Sequence, residues 1–137
     1  MTIITADDEP LALEMLTDLV KSVKPEAEVV SFSRPQKIIE WLKSNKADVA
    51  FLDIRMRGMT GLEVAEKIKE VHPETNIIFV TGYDEYALPA MSLHASGYVM
   101  KPVSEEKIKK ELEQLRFPVN DANSTLLTAR CFGNFDV

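Results

Sequence analysis

A doubly wound α/β fold, with a five-stranded parallel sheet in the order 2-1-3-4-5, is the expectation from three features of this 137-residue sequence. Short apolar runs rich in β-branched residues alternate with segments whose apolar residues recur at helical spacing. No helical segment exceeds about four turns, so successive strands must be joined by short right-handed crossovers that cover both faces of a parallel sheet. Acidic, hydroxyl and lysine residues gather where the strands end, the edge at which doubly wound sheets place their sites.

The elements follow in order. "TIITA" (2–6) is a buried strand, and the acids Asp7, Asp8 and Glu9 stop it. Pro10 suits the first turn of a helix, with Glu9 leading in, and Leu11, Met15, Leu16, Leu19, Val20 and Val23 then recur at helical spacing as far as Lys24-Pro25. "EVVSFS" (28–33) is the second strand, and the segment around Ile38, Ile39, Trp41 and Leu42 the second helix, with Trp41 half-buried. "DVAFLD" (48–53) is the third strand; "GLEVAEKIKEVH" (61–72) is an amphipathic helix with Leu62, Ala65, Ile68 and Val71 on one face. "NIIFVT" (76–81) is the most continuously apolar strand. A helix from about Asp84 to Ser92 follows, in which Pro89, one turn in, predicts a late start or a kink. "GYVM" (97–100) is the fifth strand. "SEEKIKKELEQL" (104–115) is the last helix, with Ser104 as cap and the pairs Glu105–Lys109 and Glu106–Lys110 along its surface.

Bulk properties narrow the class. The length suits about one domain with its own core, and 45% hydrophobic with 28% charged residues is ordinary for a globular chain. No run approaches the roughly 18 apolar residues of a membrane span, and the N-terminus lacks a signal-peptide pattern. The single Cys131 cannot form an internal disulfide, which fits a reducing cytoplasm. A net charge of −6 argues against direct gripping of nucleic acid by this portion. Neither GxGxxG nor GxxxxGK[ST] occurs, so dinucleotide and P-loop sites have no support.

The strand ends carry the chemistry. Strand one ends at Asp7 and Asp8, strand three at Asp53, strand four at Thr81, and strand five just before Lys101-Pro102. Any one aspartate after a strand is most simply a helix cap or turn residue. Together, on one edge of neighbouring strands, they ask for another reason. Packed carboxylates raise one another's pKa unless a positive charge sits among them, and a hard divalent cation such as Mg²⁺ suits such an oxygen set. With Mg²⁺ bound, Asp53 can be an ionised nucleophile toward a phosphoryl group. Lys101 would pair with the phosphoryl oxygens and Thr81 would donate its hydroxyl to another. A cis Lys101-Pro102 bond would turn the chain sharply and aim the lysine back at the acids, although X-Pro bonds favour trans.

The segments "ADDEP", "DVAFLDIRMRGMTGLEV", "IIFVTGYDEYAL" and "GYVMKPV", in this order and spacing, resemble the receiver domain of two-component response regulators, the flavodoxin/CheY-like fold, over residues 1 to about 117. The resemblance implies that Asp53 is the phosphoacceptor and that Asp7 and Asp8 hold Mg²⁺ directly or through water, with the Arg55 backbone carbonyl as a further ligand. Thr81 and Lys101 would contact the phosphoryl group, and Tyr98 would be the aromatic that swings inward when Thr81 moves. The donor would be a histidine kinase. The domain would then be a phosphoacceptor switch rather than a turnover enzyme, shifting the face over 84–116 and forming a homodimer through it. "PVNDANS" (118–124) is a linker by composition, and 125–137 regains β character. "RCFGNFDV" resembles the opening strands of the OmpR-like winged-helix output domain of SARP-type activators, and "YDEYALPAMSLHASGYVMKPV" resembles receivers that precede DNA-binding domains, including the LytTR class. DNA would be met only through that output domain.

Smaller features complete the reading. Arg55 and Tyr83, two residues past Asp53 and Thr81, would overhang the acids and tune the lifetime of the acyl phosphate. "MRGMTG" (56–61) is a turn and helix start without a separate binding role, and neither His72 nor His94 has metal-ligand company. Two alternatives stand beside the main reading: a stand-alone receiver acting by protein contact, and a Mg²⁺-dependent phosphohydrolase with an aspartate nucleophile. The second wants an acid two residues after the nucleophile, where this chain has Arg55.

Overall fold

The computed structural model of the chain describes residues 1–82 and 95–117. The helix expected over 84–92 with Pro89, and with it Tyr83, His94, the linker and the segment 125–137, lie outside the described residues. Five strands, β1 (Thr2–Ala6), β2 (Glu28–Phe32), β3 (Val49–Asp53), β4 (Asn76–Thr81) and β5 (Gly97–Met100), form one sheet in the order β2-β1-β3-β4-β5, every neighbouring pair parallel. Four helices accompany them among the described residues: α1 (Pro10–Val23), α2 (Pro35–Leu42), α3 (Gly61–Val71) and α4 (Glu105–Glu113).

The sheet divides two cores by the alternation of its side chains. Ile4, Ala50, Leu52, Ile77 and Phe79 face α2 and α3, where they meet Ile38, Leu42, Val64, Ala65 and Ile68. Ile3, Val49, Phe51, Ile78 and Val80 face the other way onto Leu16 and Val20 of α1 and Ile108 and Leu112 of α4. The central strands β3 and β4 are buried at every residue, the pattern of strands covered on both faces. Trp41 is half-buried, as expected, with its ring edge-on to Phe32 at 6.0 Å between centroids.

Three expectations need correction. Leu11 and Met15 were expected on the apolar face of α1 but are 76% and 56% exposed. At about 100° per residue, Leu11 lies some 140° round the helix from Leu16, and Met15 about 100° from it, outside the stripe that reaches the sheet. Val71 lies on the correct face of α3 but in its last residue, where it is 58% exposed. The pairs Glu105–Lys109 and Glu106–Lys110 are absent from the ion pairs among the described residues. Glu105 instead accepts a 2.8 Å bond from the Ser22 hydroxyl of α1, and Lys107 donates to the carbonyls of Met100 and Pro102. Glu105 thus takes a hydroxyl donor on another helix in place of Lys109, at little cost because an exposed pair contributes only tenths of a kcal/mol. Ser104 does cap α4, accepting from the Lys107 N–H.

At the amino-terminal edge of the sheet, the side chain of Asn76 fastens the end of the described chain to β4. It is 1% exposed and makes four bonds. Its Nδ2 donates to the carbonyls of Asp48 (3.1 Å) and Phe117 (2.8 Å), and its Oδ1 accepts from the Phe117 N–H (2.7 Å) and the Ser96 hydroxyl (2.7 Å). Lys69 stands 4.5 Å over the Phe117 ring while donating to Thr75 O and Pro73 O. The amide of Asn76 thus closes both backbone groups of Phe117, as a neighbouring strand would.

Asn76→Ala strands the Phe117 amide and the Ser96 hydroxyl, both half-buried. The expected outcome is a loss of about 1–3 kcal/mol, read as a lower urea midpoint with an unchanged slope.

Candidate functional site

The register of the sheet brings the strand-end residues together. Ala6 lies beside Leu52 and Asp53 beside Val80, so the acid after β1 neighbours the acid that ends β3. Thr81 pairs with Met100, and the Lys101 N–H donates to the Thr81 carbonyl at 2.8 Å, so Lys101 arrives at the same edge. The Lys101-Pro102 bond is cis. Carboxylate oxygens of Asp7, Asp8 and Asp53 lie within 4.8 Å of one another. Lys101 Nζ is 3.0 Å from Asp7 Oδ2 and 3.6 Å from Asp53 Oδ2. Asp7, Asp53 and Thr81 are buried, whereas Asp8 and Lys101 stand at the rim.

Local structure holds each carboxylate in place. Asp7 Oδ1 accepts from the Glu9 N–H at 2.9 Å, tying it to the entry of α1, whose first residue is Pro10. Asp53 Oδ1 accepts from the Arg55 N–H at 3.3 Å, which sets the Arg55 peptide against the acids while its side chain lies exposed. Asp8 Oδ2 accepts from the Arg57 N–H at 3.0 Å. Tyr98 is half-buried on β5 and packs against the core on the α2 and α3 side.

The loop 54–60 is more built than a plain turn. Gly58 has φ +89°, a left-handed conformation, and its missing side chain makes room for Gln36. Thr60 caps α3 in a reciprocal pair: its hydroxyl accepts from the Glu63 N–H and the Glu63 carboxylate accepts from the Thr60 N–H. Gly61 passes against the backbone of Asp53, where a Cβ would run into the carbonyl oxygen. A methyl group there would push α3 away from the end of β3. The sequence reading missed both roles. T-x-x-E before an apolar run carries the capping signal, but nothing local announces the contact at Gly61.

Electrostatics follow from burial. Asp53 is raised to about 6 from the usual 3.8, first by burial and then by the charge of Asp7, against the opposing pull of Lys101 and the Arg55 N–H. Burial works against the charged form of Lys101, yet the Asp7 and Asp53 carboxylates outweigh it and its pKa ends above the usual value. Three ionisable oxygens facing one centre, with no sulfur or imidazole among them, suit a small hard cation with water completing its shell. Mg²⁺ fits this donor set.

A parallel sheet in this order with acids and a lysine at its carboxyl edge defines the receiver class of two-component signalling. The chain belongs to the response regulator receiver domain family, whose sequence profile matches residues 3–113. An uncharacterised response regulatory protein of Vibrio cholerae is 36% identical over 88% of this chain and 49% of its own length. The sensory transduction protein LytT of Enterococcus faecalis is 35% identical over 83% and 47%. The transcriptional regulatory protein LytR of Staphylococcus aureus is 30% identical over 99% and 56%. The chain therefore spans about half the length of these curated relatives. Among solved structures, the response regulatory domain of mrkE from Klebsiella pneumoniae superposes with a TM-score of 0.76 at 33% identity, covering 84% of this chain and 94% of that one. TrrA from Thermotoga maritima, in complex with Mg(2+)-BeF, superposes with a TM-score of 0.73 at 28% identity, covering 82% and 96%. Receiver domains of this family act as phosphoacceptor switches and generally bind Mg²⁺ at an acidic pocket.

A raised Asp53 pKa means that, between pH 4 and 6, the native chain holds a proton the unfolded chain has released. This group's contribution to stability therefore falls as pH rises through that window. In metal-chelating buffer, Asp53→Asn is expected to be more stable than the parent at pH 7.5, by an amount on the order of 2 kcal/mol. The advantage disappears below pH 4; denaturant titrations of both proteins across pH 3.5–8 check it.

Proposed function

We propose that this domain accepts a phosphoryl group on Asp53 from the phosphohistidine of a histidine kinase and uses it to switch the face over 84–116. A carboxylate oxygen of Asp53 attacks phosphorus and a P–O bond forms. The P–N bond to the donor imidazole breaks, and the imidazole takes up a proton. The observation that carries this reading is the cluster itself: Asp7, Asp8 and Asp53 within 4.8 Å of one another, with Lys101 at 3.0 and 3.6 Å.

Asp7, Asp8, Asp53 and the Arg55 carbonyl would hold Mg²⁺, which when bound supplies positive charge between the carboxylates and the phosphoryl oxygens. Lys101 provides a compact ammonium to a phosphoryl oxygen, and its existing ion pair with Asp53 supports that placement. Thr81 offers its hydroxyl from the next strand end, and Tyr98, two residues before Met100 on β5, relays its movement outward. The complex of TrrA with Mg(2+)-BeF supports the metal and phosphoryl parts of the reading by relation. Arg55, exposed at the mouth, tunes access of water to the acyl phosphate.

The domain works as a switch rather than a turnover enzyme, from the cytoplasm, with residues 1–117 as the receiver. Among the described residues no helix is long and apolar enough to cross a membrane. Relatives of about twice this length, one of them a transcriptional regulatory protein, support an output domain that meets DNA. Homodimerisation through the 84–116 face would deliver it. The linker over 118–124 and the output segment from 125 belong to this proposal.

Incubation with acetyl phosphate and Mg²⁺, followed by intact mass spectrometry and size exclusion, tests it. One acid-labile phosphate per chain is expected, absent in Asp53→Asn, together with a larger hydrodynamic size. Sustained release of phosphate from a phosphomonoester, without a stoichiometric adduct, would instead establish a phosphohydrolase.

A further inference from the structure

We propose that Arg57 is a displaceable counter-ion of the carboxylate cluster: its guanidinium holds Asp8 while no metal is bound, yields when a divalent cation enters, and so sets how tightly the site takes Mg²⁺. The inference rests on the metal reading above and concerns a residue to which that reading gives no task.

Lys101 and Arg57 divide the three acids between them. Lys101 reaches Asp7 and Asp53 at 3.0 and 3.6 Å. Asp8 has Arg57, whose Nε lies 3.4 Å from Asp8 Oδ2. With all three acids ionised the cluster carries three negative charges, and these two side chains leave it one short of neutral. A divalent ion added while both cations stay would overshoot by one. A divalent ion added with Lys101 in place and Arg57 withdrawn leaves it balanced. Charge alone therefore requires one of the two cations to leave, and their anchoring decides which.

The anchoring of Arg57 permits the departure. The Arg57 side chain is 93% exposed, against 33% for Lys101, so its guanidinium stays hydrated in either position. A groove of about 370 Å³, lined by Asp8, Ser33, Arg34, Gln36 and Arg57 among others, opens beside it and gives the side chain somewhere to go. The backbone does not have to follow. The Arg57 N–H donates to the same Asp8 oxygen at 3.0 Å, and Gly58 at φ +89° sets the turn immediately after. Asp8 thus keeps one donor when the guanidinium leaves, and its carboxylate stays aimed. The side chain acts through charge and the peptide through position.

Isothermal titration of Mg²⁺ into the whole chain, with the Mg²⁺-induced shift in melting temperature as a second readout, tests the proposal. The proteins are the wild type, Arg57→Gln and Arg57→Lys, each at low and at physiological ionic strength. An exposed unit charge near a divalent ion, attenuated by salt, corresponds to about a two- to sevenfold change in affinity. Arg57→Gln is expected to bind Mg²⁺ tighter by that factor at low salt, and the gap to narrow as salt rises. Arg57→Lys, which keeps the charge, is expected to stay within about twofold of wild type. Equal or weaker binding by Arg57→Gln, in a wild type that does bind Mg²⁺, overturns this proposal alone. Tightening by Arg57→Lys equal to that by Arg57→Gln overturns it as well, because charge would not be the cause. A folded wild type that takes up no Mg²⁺ overturns the metal reading and this proposal with it.

Discussion

The repulsion among three carboxylates at one edge of a buried sheet is the constraint on which the rest of the site depends. No cluster of that kind is stable by packing alone, because each charge destabilises the others in surroundings that water reaches poorly. The fold answers with a proton affinity raised at Asp53, an ammonium between Asp7 and Asp53, and a guanidinium on Asp8. Backbone N–H groups of Glu9, Arg55 and Arg57, one for each acid, hold the oxygens in fixed directions. Electrostatic tension is concentrated at this edge, and the apolar sheet behind it supplies the stability to maintain it.

That sheet is also the instrument of aim. Asp53, Thr81 and Lys101 come from three adjacent strands or their ends, so the strand register sets their spacing before any side chain chooses a rotamer. Gly61 shows how closely the frame is drawn, since α3 begins in van der Waals contact with the backbone of Asp53 itself. The capping pair of Thr60 and Glu63 then fixes where that helix starts. The loop between β3 and α3 is therefore held at both ends.

Much of this was legible in the sequence because the signals were local and additive. Short apolar runs marked β1, β3 and β4, with acids directly after β1 and at the end of β3 and a lysine directly after β5, so topology converted Asp7, Asp8, Asp53 and Lys101 into neighbours. What escaped was set by geometry between segments. Arg57 meets an acid 49 residues away, and nothing in "MRGMTG" tells that its arginine turns toward Asp8. Leu11, Met15 and Val71 fit a helical period but fall outside the stripe or the stretch of helix that reaches the sheet. Glu105 had a lysine at the right spacing and a serine on another helix, and the serine won. Spacing predicts which residues can share a face, whereas packing decides which neighbour each one finds.

The amide of Asn76 has a mechanical meaning beyond its contribution to stability. α4 ends at Glu113, yet the chain is gripped again at Phe117, on the same strand whose far end carries Thr81. Residues 114–117 therefore move with the domain body rather than as slack. Four residues of freely extended chain would span about 13–14 Å, and the grip on Phe117 withdraws that freedom from the stretch after α4. The Phe117 peptide hangs from the strand that also carries Thr81.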